Sequence, residues 1–307
     1  SKRERAIVVS ALKHAAPYIR LFKGKVFVIK AGGEVFADPE LASALVEQVG
    51  ILHQVGIRTV LIHGGGPQST KLATDLGLET QFVEGRRVTD SDSLNVATMI
   101  LNGQINTRIL ATCRDLQIPA VGISGVDAGL IRAHRRPPVE SKDGESVDYG
   151  FVGDIDSVEA DILRKQLDNG LMPVVSPLSC DESGTLLNIN ADTVAAAIAA
   201  ELDAEKLILV TGATGILEDV NDPGSLISYI DRKHLRELKD KGILADGMLP
   251  KAAAIDAAIK NGVSRVHVIS NKLPDSILLE VFTNEGTGTL VVDDINALTP
   301  EEQAADS

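Results

Sequence analysis

Short apolar runs alternate along the chain with longer stretches in which apolar residues recur every three or four positions. The runs are Val26-Phe-Val-Ile29, Thr59-Val-Leu-Ile62, Pro119 to Ile123, Pro173-Val-Val175, Lys206 to Val210, Arg265 to Ile269 and Gly288 to Val292, each the length of a buried strand. Between them, Leu41, Leu45, Val49 and Leu52 share one helical face, as do Leu94, Ile105, Ile109 and Leu116. Further helices are predicted over 156–169, 193–202, 231–241, from 246 to about 262, and over 274–282. Asp38-Pro39 supplies an N-cap and a first-turn proline, and Gly56 a stop. Strand, turn and helix repeating in this order predict an α/β fold with a mainly parallel sheet and helical crossovers.

Three stretches depart from the alternation. Ile7, Ala11, Ala15, Ile19 and Phe22 stand at helical spacing ahead of the first strand, with Pro17 expected to bend or break the helix. That helix either packs on its own domain or reaches another subunit. Residues 130 to 153 read as short strands around a charged loop, a β-hairpin excursion from the main sheet. Glu84 to Asp90 reads as an irregular polar segment, and the acidic residues from Asp293 onward are expected to fray. No low-complexity linker divides the chain, so two lobes on one continuous sheet are expected.

The candidate chemistry gathers at the strand ends. Thr59-Val-Leu-Ile-His63 empties into Gly64-Gly65-Gly66-Pro67, and Val26 to Lys30 into Ala31-Gly32-Gly33. Such turns either merely connect strand to helix or line an anion site with backbone N–H groups at a helix N-terminus. Neither G-x-x-x-x-G-K-[ST] nor G-x-G-x-x-G is present; Ser69 fills the place of the third glycine in the latter. Lys30, Gly32, Gly33, Gly64 to Gly66, Asn188, Asn190, Asp192, Gly212 and Lys251 all fall at a strand end or a helix start. Open parallel sheets bind ligands at that edge. Each residue has a structural reading, as turn, cap or surface lysine, but their coincidence on one edge favours a single site.

Composition narrows the guest. The 307 residues carry a net charge of −13 with a pI near 4.9, which excludes a protein that depends on attraction to nucleic-acid phosphates. Cys113 and Cys180 form no C-x-x-C, no metal site is indicated, and no apolar run is long enough for a membrane span. A soluble cytoplasmic protein is expected. Two lysines, an aspartate and glycine-rich turns suit phosphoryl transfer, which consists chiefly of positioning and of neutralising charge on the moving oxygens. His63 is expected to be structural, since a carboxylate acceptor is already ionised at neutral pH.

Val28-Ile-Lys30-Ala-Gly-Gly33, His63-Gly-Gly-Gly-Pro67, Arg87-Val-Thr-Asp90, Asn188-Ile-Asn-Ala-Asp192 and Gly247-Met-Leu-Pro-Lys251 together resemble the ordered motifs of the acetylglutamate kinases in the amino acid kinase family. The resemblance runs from about Tyr18 to Val292. It implies a three-layer αβα sandwich and ATP-dependent phosphorylation of the γ-carboxylate of N-acetyl-L-glutamate, with Mg2+ carried by the nucleotide. It also implies an arm at 1–24, an acyl-amino-acid lobe at 25–178 and a nucleotide lobe at 179–307. By motif, Lys30, Lys251 and Asp192 are catalytic. Gly65, Gly66, Arg87, Asn188 and Asn190 take the acyl amino acid, and Gly32, Gly33, Gly212, Gly215 and Gly247 take the nucleotide. Arg86 is left as a surface residue. The chain departs from the family at Val126, at Gly212 in Thr211-Gly212, and at Asp246.

Ala16 to Lys25 resembles the extra N-terminal helix of arginine-sensitive members, and Leu279 to Thr289 their arginine-binding segment. That implies L-arginine as inhibitor, a homohexamer built from dimers, and an allosteric site including Lys272, Glu280, Gly286 and Gly288. The alternative is an arginine-sensing lobe related to N-acetylglutamate synthase, whose acetyltransferase domain the chain is expected to be too short to hold. A purely regulatory ligand-binding protein would need no lysine pair.

Overall fold

The computed structural model describes residues 1–244, 247–284 and 286–303; Asp246 lies outside them. Eight strands form the central sheet: β1 (Val26–Ala31), β2 (Arg58–His63), β3 (Ala120–Ser124), β4 (Met172–Ser176), β5 (Lys206–Thr211), β6 (Tyr229–Asp231), β7 (Val266–Ser270) and β8 (Thr289–Val292). Their order is β6-β8-β7-β5-β1-β2-β4-β3. The central pairs are parallel, whereas β8 runs antiparallel to β7 and carries β6 parallel to itself. Apolar runs show which residues are buried but not which way a strand points, so that reversal was not legible in the sequence.

Alternation along the strands splits the core into two layers. Val28, Val60, Leu207, Leu209 and Val268 pack against the helices Ala191–Glu201 and Met248–Lys260. Phe27, Ile29, Leu61, Ile208 and Ile269 pack against Pro39–Gln54, Asn106–Asp115 and Ser276–Phe282. Both faces are covered, as a parallel sheet requires, and the result is a three-layer αβα sandwich.

Several boundaries differ from the sequence reading. The first helix, Lys2–Phe22, runs uninterrupted through Pro17, and its residues 2–14 are exposed, including Ile7, Val8 and Leu12. Only its end touches the body: Phe22 stacks edge-on against Phe27, and the Tyr18 hydroxyl donates to Asn284 Oδ1. This helix therefore does not pack along its length on its own domain. The region 156–169 begins as strand Gly153–Val158 and turns helical only at Asp161–Asp168; Gly153–Val158 pairs antiparallel with Ile131–Arg135, and Val139–Glu140 with Ser146–Val147. The polar segment before Asp90 is itself a hairpin of Gln81–Val83 and Arg86–Val88. From Ser91 to Asp115 the chain is helical throughout, widening to π-helix over Met99–Ile105. Beyond Asp293 the chain keeps some structure, with Leu298 packed on Leu290 and Val292, and Arg265 Nη2 donating to Glu302 Oε2 at 3.1 Å.

Candidate active site

Three elements converge on one carboxylate. Asn190 caps the helix Ala191–Glu201 by accepting from the N–H groups of Asp192 (2.9 Å) and Thr193 (3.2 Å), which fixes Asp192 in the first turn, where the helix dipole favours an anion. Lys30 reaches it from the end of β1, with Nζ 3.0 Å from Oδ1. Lys251, in the first turn of Met248–Lys260, donates to Oδ1 at 2.9 Å and Oδ2 at 3.0 Å. A cation at a helix N-terminus opposes the dipole, and the shared aspartate offsets that cost. All three side chains are buried. Burial alone would raise the Asp192 carboxyl, but the two ammonium groups outweigh it and hold it at about 2. Lys251 is pushed down, first by burial and then by the charge of Lys30. Within this buried group two cations share one anion, and the exposed Glu34 carboxylate lines the cavity beside it.

The glycine turns close over this group. Gly64 N donates to Ala31 O at 3.0 Å, and Gln68 Nε2 donates to Gly33 O at 2.6 Å. The turns approach so closely that a Cβ on Gly33 would stand 2.9 Å from Gly65 Cα. Gln68, not selected from the sequence, therefore ties the two turns together; its only sequence signal is its place directly after Gly66-Pro67. At Gly65 the structural reading holds, because a Cβ there would meet Leu101 Cδ2 at 2.7 Å and Ile105 Cδ1 at 2.8 Å. Gly66 faces open space and starts a helix with no side-chain cap, leaving its N–H groups free for an anion.

A cavity of about 260 Å³ is lined by Lys30, Gly32, Gly33, Gly66, Asn188 and Asn190. A second, of about 530 Å³, shares Gly66, Arg87, Asn188 and Asn190 with it. Arg87 Nη2 donates to Thr70 Oγ1 at 2.6 Å and Gly66 O at 3.1 Å, and its guanidinium lies 5.0 Å from the Phe82 ring centre. Arg86 is not a surface residue: it is half-buried and lines the larger cavity too. Gly212, Gly215 and Gly247 line neither. Gly215 packs so tightly that a Cβ would lie 2.7 Å from both Leu226 Cδ1 and Thr289 Oγ1. At the departure Val126, the turn is closed by Asp127 Oδ2, which accepts from Ser124 N at 2.6 Å and Ser124 Oγ at 2.9 Å.

His63 is fully buried between Gly64 O (3.0 Å) and Asn106 Nδ2 (3.2 Å), and burial pushes it down to about 4. It stays neutral and structural. Among the described residues, no group of three or more His, Cys, Asp or Glu is placed to hold a metal ion, and no helix is long and apolar enough to cross a membrane.

At the opposite edge of the sheet, Glu280 Oε1 accepts from His267 Nδ1 at 2.7 Å, and its Oε2 accepts from Thr287 N (2.8 Å) and Thr287 Oγ1 (2.9 Å), between Gly286 and Gly288. Lys206 Nζ meets His267 Nε2 at 2.9 Å and lies 5.4 Å from the Phe22 ring centre. The cation in this network is thus Lys206; Lys272 stands exposed beyond the end of β7. Gly288 sits so close to β7 that a Cβ would meet Val268 O at 2.0 Å.

Residues 25–270 match the model of the amino acid kinase family. An acetylglutamate kinase of Myxococcus xanthus is 45% identical over 288 residues, covering 92% of this chain and 94% of the relative. One from Archaeoglobus fulgidus is 42% identical over 286 residues, covering 92% and 98%. Among solved structures, N-acetylglutamate synthase from Neisseria gonorrhoeae complexed with coenzyme A and L-arginine superposes with a TM-score of 0.80 at 29% identity, covering 93% of this chain, which spans 65% of the synthase's length. Carbamate kinase from Giardia lamblia bound to AMP-PNP, at 16% identity and a TM-score of 0.62, shares the fold. The match to the family model and the similarity to acetylglutamate kinases over about nine-tenths of both chains agree: this chain belongs to the amino acid kinase family.

Proposed function

We propose that this protein transfers the γ-phosphoryl group of MgATP to the γ-carboxylate of N-acetyl-L-glutamate, the acyl phosphate serving arginine biosynthesis. The observation that carries the reading is the buried Lys30–Asp192–Lys251 group beside a glycine-lined cavity. A carboxylate oxygen attacks the γ-phosphorus while the bond to the β,γ-bridging oxygen breaks, and ADP leaves. The nucleophile is already ionised, so the reaction needs no general base, which agrees with a neutral, enclosed His63. Charge spreads over the transferring oxygens in the transition state, where the positive charge of the lysine pair and the N–H groups of Gly33 and Gly66 stabilise it. Asp192 keeps the two ammonium groups charged and oriented. Arg87 pairs with the α-carboxylate, and Asn188 and Asn190 take the acetamido end. The nucleotide lies on the 179–307 side near Gly212 and Gly247, with Mg2+ carried by its phosphates; Asp192 is engaged by the two lysines, and Glu34 is the other carboxylate lining the cavity. Purified protein with MgATP, N-acetylglutamate and hydroxylamine should yield a hydroxamate; ADP formation without trapped hydroxamate would exclude acyl phosphate as the product.

Regulation by L-arginine and assembly into a hexamer belong to the same proposal. They are supported by the exposed apolar side chains of Lys2–Phe22 and by the likeness to a synthase solved with L-arginine. Deleting residues 1–24 should leave an active dimer indifferent to arginine. A truncated protein that light scattering finds still hexameric, or an intact one unaffected by millimolar arginine, overturns the corresponding half.

A further inference from the structure

The larger cavity beside the reaction centre holds more positive charge than N-acetylglutamate can neutralise. Three guanidinium groups line it: Arg86, Arg87 and Arg136. Arg136 is satisfied by the protein, donating through Nε (2.9 Å) and Nη2 (2.8 Å) to Asp154 Oδ1 and lying over the Tyr149 ring at 5.6 Å. Arg87 donates only to neutral oxygens, those of Gly66 and Thr70. Arg86 makes no side-chain hydrogen bond and no ion pair among the described residues. It is half-buried, and the loss of solvent and then the charge of Arg136 work against its protonated form, outweighing the favourable charges of Tyr149, Asp154 and Glu84, none of which hydrogen-bonds to it. A half-buried, unpaired guanidinium in a cavity wall is poorly stabilised until an anion arrives.

The acyl amino acid of the proposed reaction offers two carboxylates. The γ-carboxylate goes to the phosphoryl group and the α-carboxylate to Arg87, while the acetamido group is neutral. Arg86 is left without a partner. Its position on the hairpin Arg86–Val88 explains how it differs from Arg87: the two guanidiniums stand on different walls, Arg87 against Gly66, Thr70 and Phe82, and Arg86 toward Arg136. The cavity they share is also lined by Asn188 and Asn190, where the acyl end would sit.

We propose that this pocket also accepts glutamates N-acylated by a dicarboxylic acid, of which N-succinyl-L-glutamate is the simplest, with Arg86 pairing with the terminal carboxylate of the acyl chain. The inference rests on the proposed reaction for the placing of the glutamyl part. A guanidinium–carboxylate pair is a strong, geometrically selective contact, and charge-assisted hydrogen bonds of this kind change affinity by about tenfold or more.

The test compares N-succinyl-L-glutamate with N-succinamoyl-L-glutamate, which has the same shape but a neutral amide in place of the terminal carboxylate. Dissociation constants are measured by calorimetry on the whole protein with a non-hydrolysable ATP analogue present, so the result does not depend on turnover. The succinyl compound should bind about tenfold or more tightly than the succinamoyl compound, and Arg86→Leu should bring the ratio to about one, with partial recovery in Arg86→Lys. Equal affinities in the unmodified protein overturn the inference whether or not any variant folds. A preference that survives in Arg86→Leu also overturns it, because another group would then read the charge. Failure of the proposed kinase reaction shows separately, as absence of hydroxamate from N-acetylglutamate.

Discussion

Two buried lysine–carboxylate networks lie at opposite edges of the same sheet, and they differ in charge balance and in access. Lys30–Asp192–Lys251 sits at the carboxyl ends of the strands, carries two cations to one anion, and borders a cavity. Lys206–His267–Glu280 starts where β5 and β7 begin, roughly 10 Å away along the strands by strand rise. It carries one cation and one anion bridged by an imidazole that burial, then the charge of Lys206, keeps neutral. Lys206 is pushed down to about 8, chiefly by burial, and Glu280 is held at about 2 because hydrogen bonds from His267 and Thr287 outweigh the effect of its burial. A balanced, enclosed network has nothing left to offer a ligand while it stays closed. An unbalanced one at a cavity does, and that contrast, more than the presence of lysine, separates the edge proposed for catalysis from the other.

The largest expected effect falls on the unbalanced network. Lys30→Ala or Lys251→Ala should lower kcat by about two to three decades, or ~2.7–4 kcal/mol, with a smaller change in either KM. Unchanged kcat in both variants would remove them from the reaction. The balanced network should respond in stability instead: Glu280→Gln should cost about 1.5–3 kcal/mol in urea denaturation, since it discards hydrogen bonds to a buried charge, while kcat stays within about twofold. A kcat loss matching that of the lysine variants would erase the distinction between the edges.

Acid sharpens the same contrast. Asp192 and Glu280 both have carboxyls depressed to about 2, from ordinary values of 3.8 and 4.5, so the folded state binds fewer protons than the unfolded one in that range. Their stabilisation is complete above about pH 4.5 and is lost as pH falls toward 2, by roughly 2 kcal/mol for Asp192 and roughly 3 kcal/mol for Glu280. In Glu280→Gln the acid limb should become shallower; an unchanged limb would show that Glu280 is not ionised in the fold. The smallest effect concerns recognition: Arg87→Ala should raise KM for the acyl amino acid about tenfold with little change for ATP. Equal losses for both substrates would place Arg87 elsewhere.

The strands, crossovers and Asp38-Pro39 cap were legible because burial on both faces of a parallel sheet demands continuous apolar runs, and helices announce themselves by period and caps. Lys30, Asp192 and Lys251 were legible because each stands at a strand end or helix start, where a structural role alone explains a buried charge poorly. Gln68 was not, since a glutamine after a proline carries no sign of the carbonyl it will reach 35 residues back in the chain.

What the sequence by itself determined is therefore the alternation, the edge where the chemistry gathers and the motif order of the family. Only the tertiary structure decided that β8 runs against β7, that Lys2–Phe22 passes through Pro17 and is exposed over residues 2–14, that Arg86 lines the same cavity as Arg87, and that Lys206 and not Lys272 belongs to the network of Glu280. The reason is physical: period and composition record how much of each residue is buried, which is a local property. Strand direction, helix docking and the pairing of charges depend on which distant segments meet, and that is fixed by packing and by the need to compensate buried charge.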